Sequence, residues 1–119
     1  MHDDPHASVS DFESLDIRVA RVLEANPLEG ARNPAYRLTL DCGPDLGMRT
    51  SSAQITDAYA PGDLVGRLVL AVVNFPPRRI AGFKSEALTL GVYSESGAGP
   101  VILIRPDNHP SVRPGDRLG

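Results

Sequence analysis

Residues 48–73 read MRTSSAQITDAYAPGDLVGRLVLAVV, and this stretch decides the fold. Residues from Met48 to Thr50 or Ser51 predict a short strand. Ser51 or Ser52 can then cap a helix over Ala53 to Tyr59 that stops at Pro61-Gly62. Leu68 to Val73 is a continuous apolar run, rich in valine and too short for a typical helix. The stretch therefore predicts a strand, a short helix and a central buried strand, in that order.

Two strands are predicted before this stretch. Ile17 to Leu23 alternates apolar and polar residues and then slips phase at Val22, which indicates a β-bulge that bends a long first strand. Tyr36 to Cys42 alternates cleanly, with its apolar residues on one face, and predicts a half-buried second strand. Ser10 to Glu13 matches a capping box, which predicts a short helix ending near Leu15.

Further strands follow the central one. Ala87 to Val92 and Val101 to Ile104 are apolar and β-branched, and the Ser/Gly-rich segment 94–99 joins them as a hairpin. Pro114-Gly115 predicts a turn before a last extended residue or two. A helix between the third and fourth of five short strands is the order of the oligonucleotide-binding fold. The predicted class is all-β with short helices, a five-stranded barrel with appended terminal segments.

The chain of 119 residues has the size of one domain. Residues 1–9 read as a flexible acidic tail, and residues 10–119 as the barrel domain. The start is acidic where a signal peptide is basic, and the longest apolar run is far below the roughly 20 residues of a membrane span. We therefore expect a cytoplasmic protein without membrane insertion. The lone Cys42 is compatible with that compartment.

Basic charge is local in this sequence. The formal net charge is −3, but residues 64–85 contain Arg67, Arg78, Arg79 and Lys84 and no acidic residue. Part of this region is Asn74 to Glu86, in which two prolines are expected to stiffen a turn with the two adjacent arginines at its tip. Such a loop holds its charges in place for a ligand, although a merely solvated turn has the same composition.

Catalysis and metal binding lack support in the sequence. An enzyme needs a nucleophile with a base, paired carboxylates or a metal cluster, and none of these patterns is convincing here. Two of the three histidines, His2 and His6, lie in the predicted tail, far from His109. We therefore expect no enzymatic activity, no cofactor and no metal.

The segment Asn74 to Glu86, together with Ser51-Ser52-Ala53-Gln54-Ile55 and the opening Asp11-Phe12-Glu13, strongly resembles the CsaA proteins. These are homodimers related to the tRNA-binding domains of methionyl- and phenylalanyl-tRNA synthetases. The resemblance runs from about Phe12 to Gly119. It implies an oligonucleotide-binding barrel, a symmetric homodimer, tRNA as a partner, and a proposed role as an export chaperone for unfolded preproteins that would involve the export machinery.

The resemblance also implies site residues. The positions that match the family's binding surface are Arg49, Ser51, Ser52, Asn74, Phe75, Arg78, Arg79, Lys84, Ser85 and Glu86. Phe12 and Leu15 belong to the implied dimer interface.

Each of these residues also has a structural interpretation. The serines can act as helix caps alone, the phenylalanines can pack in the core or the dimer, and Glu86 can orient an arginine. Two functions remain open at this point. In one, tRNA binding comes first. In the other, unfolded preproteins bind in an apolar groove formed by Phe75, Pro76, Pro77, Ile80 and Phe83, and tRNA binding is secondary.

Overall fold

The computed structural model describes residues 5–119, which form a mostly β structure with a few short helices. None of the helices in this range is long and apolar enough to cross a membrane. The elements are α1 (Val9–Glu13), β1 (Ile17–Pro27), β2 (Tyr36–Asp41), β3 (Met48–Ala53), α2 (Pro61–Leu64), β4 (Leu68–Val72), β5 (Arg78–Ile80), β6 (Phe83–Ser85), β7 (Leu88–Thr89), β8 (Gly91–Tyr93) and β9 (Val101–Leu103).

Five of the strands form a nearly closed antiparallel barrel. Their order is β3-β2-β1-β4-β7, so β3 and β7 are the two edges of the sheet. The edges approach each other after β6, where the Glu86 and Ala87 backbone N–H groups donate to the Thr50 carbonyl oxygen at 2.8 and 3.0 Å. Closing a sheet in this way leaves few backbone groups unpaired at its edges. The predicted five-stranded oligonucleotide-binding class is confirmed.

The first strand bends where the sequence pattern slips. The register of β1 against β2 shifts between Val22 and Glu24, which is the irregularity of a β-bulge. Residues 17–21 of β1 pair with β4, and residues 21–27 pair with β2. Strand β1 continues to Pro27, beyond the predicted end at Leu23, so one bent strand serves two neighbours and lets the barrel curve.

Apolar side chains pack on both faces of β1 and β4. The barrel interior is filled by fully buried side chains such as Val22, Leu38, Leu40 and Val69. A second cluster on the outside, Ile17, Val19, Leu70 and Val72, is partly covered by the carboxy-terminal residues. The carboxy-terminal residues also pair with the beginning of β1, along the edge that β4 does not occupy. The Leu118 N–H donates there to the Ile17 carbonyl at 2.9 Å. The predicted extended end of the chain is therefore present.

The predicted helix over Ala53 to Tyr59 is wrong. Ala53 still belongs to β3 and pairs with Tyr36, and the residues that follow form turns. The helix begins instead at Pro61, the residue expected to stop it. Proline is favoured at the first helical position because its fixed φ suits the helix. An N–H at this position would have no acceptor within the helix, so proline loses nothing by lacking one.

The capping box of α1 also lies elsewhere than predicted. Ser8 is the N-cap, and its hydroxyl accepts from the Asp11 N–H at 3.1 Å while the Asp11 carboxylate accepts from the Ser8 N–H at 2.8 Å. Ser10 therefore lies inside the helix. Both serines have an acidic residue three positions on, so the pattern alone did not distinguish the two starts.

The predicted strand from Ala87 to Val92 is divided at Leu90. Its first part, β7, pairs with β4 in the barrel, whereas its second part, β8, pairs with β9 in a separate hairpin. The Leu90 N–H donates to the Leu70 carbonyl at 2.9 Å, so the chain leaves the barrel immediately after this residue. The hairpin joining the two last strands is confirmed, and Leu103 of β9 is buried in the barrel's apolar cluster.

Gly43 should be the most sensitive glycine of the chain. Its φ is +94°, and a Cβ there would lie 2.6 Å from the Gly115 Cα and 2.7 Å from the Pro114 carbonyl oxygen. We expect Gly43→Ala to lower the free energy of unfolding by roughly 2–5 kcal/mol, from left-handed backbone strain and from the clash. Gly47→Ala is the matched control because Gly47 has a φ of +70°, and no atom of residues 5–119 lies within 4 Å of a Cβ added there. Equal urea midpoints for the two variants would contradict this close approach.

Candidate nucleic-acid interface

Strands β5 and β6 form a β-hairpin with a two-residue turn, in the segment where the sequence predicted a loop. Ile80 pairs with Phe83, and the two residues between them, Ala81 and Gly82, have φ values of 51° and 81°. Positive φ at both central residues is the geometry of a type I′ turn, which matches the twist of the flanking strands. The tip of the segment is therefore Ala81-Gly82. The expectation that the two arginines occupy the tip is wrong, because both belong to β5.

The two adjacent arginines project from opposite faces of this hairpin. Arg79 pairs with Lys84, and Arg78 pairs with Ser85. Because side chains alternate along a strand, Arg79 and Lys84 share one face, and Arg78 shares the other with Phe83. Arg78, Arg79 and Lys84 are all exposed. The hairpin therefore presents positive charge on both of its sides.

Side chains of Ser85 and Thr50 attach the hairpin to the barrel edge. The Ser85 hydroxyl accepts from the Ser52 N–H at 2.9 Å, and the Thr50 hydroxyl donates to the Lys84 carbonyl at 2.6 Å. Ser52 faces outward opposite Arg37 in the β2–β3 register. Ser85 thus positions the hairpin beside β3.

Glu86 continues this attachment. Its carboxylate accepts from the Thr50 N–H at 3.1 Å and lies 2.9 Å from the Thr50 hydroxyl, whose one proton is shared between Glu86 and the Lys84 carbonyl. Burial raises the pKa of Glu86, but these hydrogen bonds and the charges of Lys84 and Arg49 outweigh it, so the pKa lies below its ordinary value of 4.5. Glu86 is therefore held ionised as part of the barrel closure.

We expect Glu86→Gln to make the free energy of unfolding less dependent on pH in the acidic range. A carboxyl whose pKa is lowered by folding contributes stability above its unfolded pKa, and this contribution disappears as the pH falls through the folded value. Wild-type protein should therefore lose more unfolding free energy between pH 7 and pH 3 than the glutamine variant loses. Urea titrations at both pH values measure this, with Glu95→Gln on the exposed hairpin loop as the control. Parallel losses in wild type and the Glu86 variant would contradict the assignment.

Ser51 and Arg49 lie on the inward side of β3. They pair with Leu38 and Leu40, so they face the interior like those leucines. Ser51 is 0% exposed, and its hydroxyl lies 2.8 Å from the Thr89 hydroxyl. A fully buried hydroxyl has no access to a ligand, so we leave Ser51 out of the proposed surface. Arg49 is half-buried at the end of the barrel, where its charge acts on Glu86 and Cys42.

Asn74 connects the start of β1 to the end of β4. Its side-chain oxygen accepts from the Asp16 N–H at 2.8 Å, and its side-chain nitrogen donates to the Ser14 carbonyl at 2.8 Å. Both polar atoms of the amide are therefore engaged within the chain. Its neighbour Phe75 is 42% exposed and offers an aromatic surface to solvent.

A groove runs between the β1–β2 loop and the β5–β6 hairpin. Its cavity of about 660 Å³ is lined by Asn26, Glu29, Arg37 and Phe83 among others, and an adjoining cavity of about 270 Å³ shares Asn26, Arg37 and Phe83. In oligonucleotide-binding folds the outer face of strands 2 and 3 and these connecting loops bind the ligand. The groove is therefore the candidate interface.

Arg37 is a groove residue that the sequence analysis did not select. It lies exposed on β2, on the polar side of the alternation that predicted this strand. That pattern already placed its side chain outside the barrel. Recognising that strand 2 contributes the binding face of this fold would have identified it.

The two residues expected at a dimer interface differ in exposure. Phe12 is 43% exposed on α1, whereas Leu15 is half-buried against the outer apolar cluster. The β8–β9 hairpin adds exposed apolar side chains, with Val92 and Ile102 directly paired across the strands and 52% and 38% exposed. These side chains are apolar surface that a partner subunit can cover.

Residues 17–116 match the tRNA binding domain family, and this range includes both the barrel and the groove. The chain belongs to this family. Two solved structures are similar to it along their whole length. The chaperone CsaA from Bacillus anthracis is 46% identical, with a TM-score of 0.86, covering 97% of this chain and 100% of that one. The CsaA chaperone protein from Picrophilus torridus is 38% identical, with a TM-score of 0.87 and coverage of 96% and 100%.

Curated relatives of this tRNA binding domain are much longer proteins. The methionine–tRNA ligase of Nitrosomonas europaea is 39% identical over 111 residues, which cover 93% of this chain and 15% of the ligase. The chain thus spans about 15% of the length of that relative. The family is a binding domain and not a catalytic one, although these homologues are parts of an enzyme. The resemblance to CsaA and to synthetase tRNA-binding domains is confirmed.

Proposed function

We propose that this chain binds structured tRNA through the groove and the β5–β6 hairpin. The observation that carries the proposal is the match of residues 17–116 to the tRNA binding domain family, within which the groove exposes Arg37 and Phe83. Arg78, Arg79 and Lys84 add cationic charge on the hairpin that forms one wall of the groove. No catalytic step is part of the proposal.

The arginines and the Phe83 ring would make different contacts with the RNA. Guanidinium groups donate paired hydrogen bonds to phosphate oxygens and fix the RNA backbone without reading sequence. Phe83 can stack on an unpaired base, a contact worth roughly 1–3 kcal/mol. The groove therefore favours RNA whose shape brings a backbone and an exposed base together.

The binding unit is proposed to be a symmetric homodimer. Phe12, Val92 and Ile102 are apolar and exposed, so a second copy that covers them removes apolar area from water. Two copies related by a two-fold axis present two grooves to one RNA. A tRNA partner also implies a cytoplasmic location for the protein.

Unfolded preproteins are the second candidate ligand, with an export role as the consequence. The observation in its favour is the exposed apolar segment Phe75-Pro76-Pro77 beside the short strand β5. An extended polypeptide can insert side chains into such a surface and pair with a strand edge. In this case tRNA binding is secondary.

Titration at two salt concentrations tests the proposal. We expect purified protein to bind bulk tRNA more tightly than an unfolded polypeptide at about 50 mM salt, and tRNA affinity to fall steeply at about 200 mM salt. Arg37→Ala should weaken tRNA binding several-fold, whereas Arg113→Ala, which removes an arginine outside the groove, should change it little. Tighter binding of the polypeptide, with little salt dependence, would favour the second candidate.

A further inference from the structure

A second basic cleft lies outside the groove. It has a volume of about 610 Å³ and is bounded by the start of β4, by β1 and by the carboxy-terminal segment after β9. Arg21, Arg67, Arg105 and His109 line it, and among the lining residues that the structure describes Asp107 is the one acidic side chain. None of these side chains belongs to the groove or the β5–β6 hairpin.

The strand and loop that form the cleft hold two of its arginines in place. The Arg21 guanidinium donates to the Gly66 carbonyl at 2.7 Å, and the Arg67 guanidinium lies 5.0 Å from the centre of the Tyr59 ring. The backbone around Arg67 is tied to β1, because the Val22 N–H donates to the Arg67 carbonyl at 3.0 Å. Cation–π contact and hydrogen bonding thus orient both guanidinium groups before any ligand arrives.

The positive charge of the cleft is not neutralised within the described part of the chain. Salt bridges among residues 5–119 involve Arg18 and Arg117, so Arg21, Arg67 and Arg105 form none there. The Arg67 Nε atom is buried and lacks a hydrogen-bond acceptor in the same residues. A buried donor without a partner has lost its hydration, but because the Nε atom is buried it is not itself a contact point for a ligand in the cleft.

His109 adds an imidazole donor to the same wall. Its Nδ1 accepts from the Ser111 N–H at 3.0 Å, so the proton of the neutral ring is on Nε2. Three guanidinium groups and an imidazole N–H match the several acceptor oxygens of a tetrahedral phosphate.

We propose that this cleft is a phosphate-binding site. The phosphate belongs either to a free small molecule or to the backbone of an RNA that also occupies the groove. The proposal does not rest on the groove function, since the donors and the cleft are complete without it. In the RNA case the site extends the footprint of the nucleic acid to a second part of the barrel.

The test uses a double variant that carries both Arg21→Gln and Arg105→Glu. Its matched control is Arg113→Glu, which changes an arginine of the same terminal segment outside the cleft. Each protein is titrated with inorganic phosphate, followed by amide and arginine side-chain NMR shifts, and with bulk tRNA at two salt concentrations. Thermal unfolding shows whether each variant is folded. Arg67→Lys, which keeps the charge and removes the fork-shaped donor, provides a second, milder variant.

Either of two results would support the site, and each identifies where the bound phosphate comes from. If the phosphate is free, inorganic phosphate should shift cleft resonances in wild type, and its affinity should fall at least tenfold in the double variant while tRNA binding stays near the control. If the phosphate belongs to RNA, tRNA affinity should fall about tenfold, and the slope of log affinity against log salt should decrease by about 0.9 for each phosphate that the variant no longer neutralises. Folded cleft variants that match the Arg113→Glu control with both probes would overturn the proposal, whether or not Arg37→Ala affects tRNA binding.

Discussion

Replacing Arg78 and Arg79 together by alanine should remove most of the salt dependence of tRNA binding. If each subunit of a dimer engages about two phosphates through the hairpin, about four phosphates are neutralised, and log affinity falls with log salt at a slope of about −3.6. Affinity would then drop roughly 150-fold between about 50 and 200 mM salt in wild type. The double variant lacks these charges in both subunits, so its affinity should change only a few-fold over the same range.

The fold should survive this double substitution. Both arginines are exposed, and the turn is set by the positive φ values of Ala81 and Gly82 and by the attachment of Ser85 and Glu86 to β3. Exposed charges contribute little to stability, so the melting temperature should change by a few degrees at most. A lower tRNA affinity in a normally folded variant therefore reports on binding.

The single variants reveal which face of the hairpin contacts the RNA. Arg78 shares its face with Phe83, which lines the groove, while Arg79 shares the opposite face with Lys84. If the backbone lies in the groove, Arg78→Ala should reduce the salt slope more than Arg79→Ala. An unchanged slope in both single variants and in the double variant would mean that the phosphates are held elsewhere.

The barrel was predictable from sequence wherever one face of a strand is buried. The alternation from Tyr36 to Cys42 predicted β2, and its apolar residues are buried in the barrel. The phase slip at Val22 marked the bulge because a bulge changes which residues face the core. The helix at Ala53 was predicted wrongly, since β3 pairing with β2 and burial of Ile55 override a local preference for a serine cap.

The candidate site was less predictable because its residues were selected by motif, which does not show whether a side chain points into the barrel or towards solvent. Ser51 and Ser52 are adjacent in sequence, but a strand turns one inward and the other outward, so just one of them remains at the surface. Asn74 was selected as a polar loop residue, whereas both its polar side-chain atoms bond to backbone groups of the segment before β1. Such long-range hydrogen bonds leave no periodic trace in the sequence.

Phe12→Asp combined with Val92→Asp should convert the proposed dimer to a monomer. Both side chains are apolar and exposed at 43% and 52%, so charges there cost the isolated subunit little but would be desolvated in an interface. Light scattering at micromolar concentration should then return about 12.7 kDa in place of twice that mass. Loss of the second groove should also weaken tRNA binding by about 100-fold, because a second engagement within one complex raises affinity by that order.

The controls for this experiment separate association from folding. Val65→Asp places a charge on another exposed apolar residue, in the loop after α2, and should leave the mass and tRNA affinity unchanged. Leu15→Asp should instead lower the melting temperature of the subunit itself, because Leu15 packs against the buried cluster of Ile17, Val19, Leu70 and Val72. A wild-type mass of 12.7 kDa would refute the dimer directly. If the double variant is monomeric yet binds tRNA as tightly as wild type, one groove is sufficient and the two-groove mode of binding is wrong.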